Sequence, residues 1–131
     1  MKTLARLLTA AAFLTAIPPA TAAGRLFHIH LERSEPAADS TVHAAPAQLK
    51  LWFSERVQLA VTSVQLLGPD SARVSVGRPS QAAGANAPVV VAVRGPMKEG
   101  RQQVVWRTMS VDGHAVRGAF SFTLAGAPPA R

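Results

Sequence analysis

The chain has 131 residues, 48% of them hydrophobic and 16% charged, with no cysteine and with 14 Lys and Arg against 7 Asp and Glu, a formal net charge of +7. That length supports one domain around one core, and the missing cysteine excludes disulfides, thiolate metal ligands and cysteine nucleophiles together. The cations are scattered singly, without a Lys/Arg run, and there is no tyrosine to stack on bases, so no nucleic-acid partner is expected.

The first residues read as an address. Lys2 and Arg6 form a positive region, residues 7–17 an apolar run, and Pro18-Pro19-Ala20-Thr21-Ala22-Ala23 a small-residue stretch with Ala20-Thr21-Ala22 in the A-x-A form that signal peptidase takes. The run is shorter than the ~20 apolar residues that span a bilayer, and no later run is long enough. Residues 1–23 are therefore expected to be a signal peptide and residues 24–131 the exported domain, with Ala23 or Gly24 as the new N-terminus. Losing Lys2 and Arg6 leaves 12 basic against 7 acidic residues, a net +5. Outside the cytoplasm such a charge meets anionic membrane surfaces and envelope polymers.

Beyond the leader the pattern is that of short strands. His28-Ile29-His30-Leu31-Glu32-Arg33 alternates, placing His28 and His30 on one face and Ile29 and Leu31 on the other. A loop rich in turn formers follows at residues 34–40. Residues 48–53 form a strand with Leu49, Leu51 and Phe53 inward, residues 61–67 another, closed by Gly68-Pro69-Asp70, and residues 73–76 a short edge strand. Residues 77–88 make a loose connection before a β-rich run at 88–93. Residues 101–109 put Val104, Trp106 and Thr108 on one face and Val105 and Arg107 on the other, and residues 117–124 bring Phe120, Phe122 and Leu124 into step. Trp52 and Trp106 are both expected in or near the core. Six or seven short strands with turn residues between them, and no helical periodicity after the leader, predict an all-β sandwich or small barrel.

The most suggestive stretch joins the last two strands: Ser110-Val111-Asp112-Gly113-His114. A carboxylate and an imidazole two positions apart supply O and N donors, a combination that suits Cu(II) or Ni(II), and also Zn(II), whereas soft Cu(I) wants sulfur. The same residues are also compatible with a plain Asp-Gly turn beside an exposed histidine. Further ligands must come from His28, His30 or His43, and His43, isolated between Val42 and Ala44, is expected to face solvent from a loop. Met97 and Met109 are far apart in sequence and are expected to fill gaps in packing rather than to make a Cu(I) site.

Taken in order, His28 with Leu31, Ser34-Glu35-Pro36-Ala37, Phe53-Ser54-Glu55, the series from Trp106-Arg107 to Asp112-Gly113-His114, and Gly118-Ala119-Phe120-Ser121-Phe122 resemble the CopC family of periplasmic copper-binding proteins. The resemblance implies an immunoglobulin-like, seven-stranded Greek-key β-sandwich that binds one Cu(II) at one end, in the periplasm. It implies His28, Asp112 and His114 as ligands, the first histidine of the family binding through its imidazole and its free α-amine. It also brings Glu55 near the site, as an outer ligand or as a partner for a ligand imidazole; an ordinary strand-end glutamate is the other reading. His28 lies four or five residues inside the expected N-terminus, so His30, on the same strand face, is expected to replace the amine nitrogen, the alternative being a His30 that points at solvent.

The implied role is copper buffering, or delivery to a CopD-type inner-membrane protein, by a monomer. No enzyme is expected: Ser110, Asp112 and His114 are too close along one turn to act as nucleophile, base and orienting acid. The rival from another class is an exported β-sandwich interaction module without a functional metal site.

Overall fold

The computed structural model describes residues 28–127. The expected signal peptide, its cleavage point and the limits of the exported domain lie outside the described residues. Within them the chain forms nine strands: β1 (Leu31–Glu35), β2 (Thr41–Val42), β3 (Gln48–Phe53), β4 (Ser63–Leu67), β5 (Arg73–Val74), β6 (Ser80–Gln81), β7 (Val89–Ala92), β8 (Gly100–Met109) and β9 (Ala115–Leu124). They pair into a four-stranded sheet ordered β1-β3-β7-β6 and a five-stranded sheet ordered β2-β9-β8-β4-β5. All neighbours are antiparallel except β2, which runs parallel to the end of β9. The protein is an all-β sandwich.

Alternation explains which face of each strand turns inward. Leu49 and Leu51 of β3, Val89 and Val91 of β7, Val64 and Leu66 of β4, Val104 and Trp106 of β8 and Phe120, Phe122 and Leu124 of β9 are buried between the sheets. Burying each such side chain contributes about 1.5–3 kcal/mol, and in a chain without disulfides this core holds the fold. Trp106 fixes a local requirement of its own. It stands opposite Gly118 in the β8–β9 ladder, and a Cβ built on Gly118 would lie 2.5 Å from Trp106 Cζ2. Only glycine leaves room for the indole there.

Several details depart from the pattern in the sequence. The first strand begins at Leu31 rather than His28 and continues through Glu35, with a register shift between Leu31 and Arg33 where it pairs with β3. The alternation is nonetheless kept ahead of it, since Ile29 is buried while His28 and His30 are exposed. The strand expected over 61–67 begins at Ser63, because residues Leu59–Val61 form a 3-10 turn. Three two-residue strands bring the total to nine; β2 and β6 lie within segments that read as loops, being too short to show a period. Trp52 points outward, half-buried beneath Arg33, whose guanidinium sits 3.7 Å from its ring centroid.

Topology gathers the interesting residues at one pole of the sandwich. The start of β1 lies against the end of β3, as Leu31 pairs with Phe53, and the start of β4 lies against the end of β8, as Ser63 pairs with Arg107. The Phe53 and Trp106 rings, one from each sheet, meet edge to face with centroids 5.0 Å apart. Residues 28–30, residues 54–62 and residues 110–114 therefore all sit at this end.

Candidate metal centre

Residues 110–114 link two ten-residue strands by a tight bend. Ser110 N–H donates to the His114 carbonyl and Gly113 N–H to the Ser110 carbonyl, each at 3.0 Å. Gly113 adopts φ +90°, which side-chain-bearing residues rarely take. The buried Ser110 hydroxyl donates to Asp112 Oδ1, and His114 N–H lies 3.3 Å from that hydroxyl and 3.4 Å from the same carboxylate oxygen. The second carboxylate oxygen, Oδ2, is 2.9 Å from His114 Nδ1. Gln58 straps the bend to the rest of the molecule, donating from its backbone N–H to the Met109 carbonyl at 3.1 Å and from Nε2 to the Ser110 carbonyl at 2.7 Å.

These contacts define the chemistry. The Ser110 hydroxyl, the His114 side chain and the His114 N–H all favour the ionised carboxylate, and together they pull the Asp112 carboxyl down to about 2. An ionised carboxylate only accepts hydrogen bonds, so His114 Nδ1 carries the proton of the pair. In the neutral ring the lone pair is then on Nε2. A carboxylate that fixes the tautomer and orientation of an imidazole is the usual companion of a metal-binding histidine. Both side chains remain about two-thirds exposed, 64% for Asp112 and 66% for His114, so an incoming ion reaches them from solvent.

The N-terminal histidines arrive at the same pole by a different route. His30 N–H donates to Ser54 Oγ at 3.0 Å, and Ser54 N–H donates to the His30 carbonyl at 2.9 Å. The His30 ring turns back toward its own chain, with Nδ1 3.3 Å from the His28 carbonyl. Glu55, half-buried, follows directly on Ser54. Asp112 and His114 are thus brought into contact, whereas among the described residues no group of three or more His, Cys, Asp or Glu side chains closes around a common point. His43 lies at the other pole, beyond the end of β9, with Nδ1 3.2 Å from the Gly126 carbonyl. Met97 and Met109 fall on opposite sides of β8, before its start and at its end.

Two contributors escaped the sequence. Ser110 belongs to the motif, but its role as donor to Asp112 depends on the shape of the bend. Gln58 lies 52 residues from Ser110, and nothing in its local sequence marks it.

A cysteine-free β-sandwich with an exposed carboxylate–imidazole turn at one pole is the class that fold and site define. The family model described as the CopC domain matches residues 31–125, and the chain belongs to the CopC family. Copper resistance protein C of Escherichia coli is 33% identical to it over 103 residues, covering 74% of this chain and 81% of that protein. The crystal structure of CopC from Methylosinus trichosporium superposes with a TM-score of 0.70 at 26% identity, covering 79% of this chain and 100% of that one. That of PcoC from Escherichia coli, described as a methionine-rich copper resistance protein, superposes with a TM-score of 0.63 at 29% identity, covering 75% and 99%.

Proposed function

We propose that this protein is exported to the periplasm and holds one Cu(II) at the pole where residues 28–30 and 110–114 meet, as a monomer that buffers the ion or passes it to a CopD-type protein of the inner membrane. The observation that carries the reading is the Asp112–His114 contact, pre-formed on a braced turn, in a member of a family that includes copper resistance proteins. His114 supplies one nitrogen through Nε2, and Asp112, which would have to give up its contact with His114 Nδ1 to become a ligand itself, orients that ring. His28 supplies another, with His30 in place of an α-amine nitrogen and Glu55 beside them. Copper is cargo here, and oxygen and nitrogen donors suit its divalent state. The relative described as methionine-rich sets a contrast, because this chain has only Met97 and Met109 after its leader.

Copper titration followed by tryptophan fluorescence tests the reading, since Trp106 lies in the strand that ends at the turn. Quenching that saturates at one equivalent, and that is lost in His114→Ala, is expected. The rival reading, an interaction module with incidental histidines, draws on the lack of a closed three-ligand group among the described residues. It predicts no copper-dependent quenching, and a His114→Ala variant indistinguishable from the parent.

A further inference from the structure

The outer face of the five-stranded sheet carries cations without compensation. Residues directly opposite one another in a ladder share a face, so the pairings define that face row by row. Ser63, Arg107 and Arg117 form one row, and Gln65, Val105 and Ala119 the next. Arg73, Leu67, Gln103 and Ser121 form a third, and Arg101 with Thr123 and Thr41 a fourth. No Asp or Glu occupies any of these positions. Arg107 and Arg117 face each other across β8 and β9, an arrangement that destabilises a sheet, and an open cleft of about 270 Å³ lies between them, lined also by Ala115 and Val116. Asp39 flanks Arg101 across a neighbouring cleft, but it makes no ion pair with it among the described residues.

The opposite sheet shows that this is no general habit of the chain. There Glu35 takes both Arg33, at 4.0 Å, and Lys50, at 3.7 Å, and Arg33 also covers Trp52. A second observation points to the same side. The two large hydrophobic residues left exposed among the described residues, Val61 at 47% and Val111 at 77%, both lie at the pole next to Arg107 and Arg117. Gln58 ties the 3-10 turn that carries Val61 to the turn that carries Val111.

We propose that this face and its valine-tipped edge dock on an anionic lipid surface, with the arginines pairing lipid phosphates and Val61 and Val111 entering the interface. Arg101 and Arg107 are six residues apart in one strand, roughly 20 Å. Cations spread over such a span suit a surface that is anionic everywhere better than a single acidic group on a protein. Guanidinium groups match phosphate oxygens in pairs, and basic residues close to an anionic membrane each add to binding in a salt-dependent way. Docked so, the sandwich places the 110–114 turn at the membrane surface, whether or not the turn holds copper.

Co-sedimentation of the exported protein with vesicles tests this, using phosphatidylcholine alone and an equal mixture of phosphatidylglycerol and phosphatidylcholine. Binding to the mixed vesicles only, weakening as salt is raised, is expected. The double variant Arg107→Gln/Arg117→Gln should lose roughly tenfold or more of that binding, with its Tm unchanged or raised because a like-charge contact has gone. Arg33→Gln/Lys50→Gln removes the same charge from the other face and should change binding far less. Val111→Ser should weaken binding without altering its salt dependence. Equal losses in the two double variants would reduce the effect to net charge and overturn the assignment of a face. Absence of binding to the mixed vesicles would overturn the lipid surface itself and leave the arginines to an acidic protein.

Discussion

The turn at residues 110–114 and the segment at residues 28–30 carry histidines to one pole, but they are built very differently. In the turn, carboxylate and imidazole are already in contact at 2.9 Å, and Ser110, Gly113 and Gln58 hold the backbone that presents them. Among the described residues, the N-terminal segment is placed by the paired contacts of His30 with Ser54 and by the burial of Ile29. On the proposed reading the turn is the pre-organised half of the centre and the N-terminal segment the half that would close around the ion. Affinity should depend most on the pre-organised half, because the ordering it needs has been met in folding.

Substitutions rank the two halves. His114→Ala should have the largest effect, weakening Cu(II) binding by more than the ~100-fold that the loss of an outer partner of a metal ligand reaches; isothermal titration measures it. Ser110→Ala should follow, at roughly 10–100-fold, because it frees the carboxylate that orients the imidazole. The same change should let the Asp112 carboxyl rise from about 2 toward its ordinary 3.8, which carboxylate NMR titration would detect. His30→Ala should weaken binding by about tenfold if the N-terminal half closes as proposed. Unchanged affinity there removes His30 from the ligand set and leaves the segment with His28 alone.

Acid separates the halves further. Protons compete with the metal for imidazole nitrogen, so affinity should fall as the medium is acidified below neutrality. Asp112 takes no part in that fall, since its carboxyl stays ionised down to about 2. For folding the sign follows from a native value below the unfolded one: the stabilisation Asp112 provides is complete above its ordinary 3.8 and disappears as pH falls toward about 2. The Tm difference between the parent and Asp112→Asn should accordingly shrink across that window. Independently of any metal, Gly118→Ala should destabilise by about 1–3 kcal/mol through its clash with Trp106, as chemical denaturation would show.

How much of this was legible beforehand follows from distance along the chain. The alternations through Gln48–Phe53, Gly100–Met109 and Ala115–Leu124 announce their strands and their inward faces, since a period of two is a local property. The acid–imidazole pair is equally local, and the sequence shows it in the same way. The two-residue strand β2, which pairs with β9, the outward turn of Trp52 beneath Arg33 and the strap from Gln58 are set by neighbours far along the chain. No window of sequence contains them. The unpaired arginines of the five-stranded sheet belong with these: they are dispersed in the sequence, and only the registers of β4, β5, β8 and β9 put them on one face.

The most direct test is electron paramagnetic resonance of the protein, its N-terminus established by mass spectrometry, with one equivalent of Cu(II). Nitrogen hyperfine structure from imidazoles of both regions is expected, with one nitrogen lost in His114→Ala and another in His28→Ala. A spectrum that neither substitution alters would contradict the proposed centre.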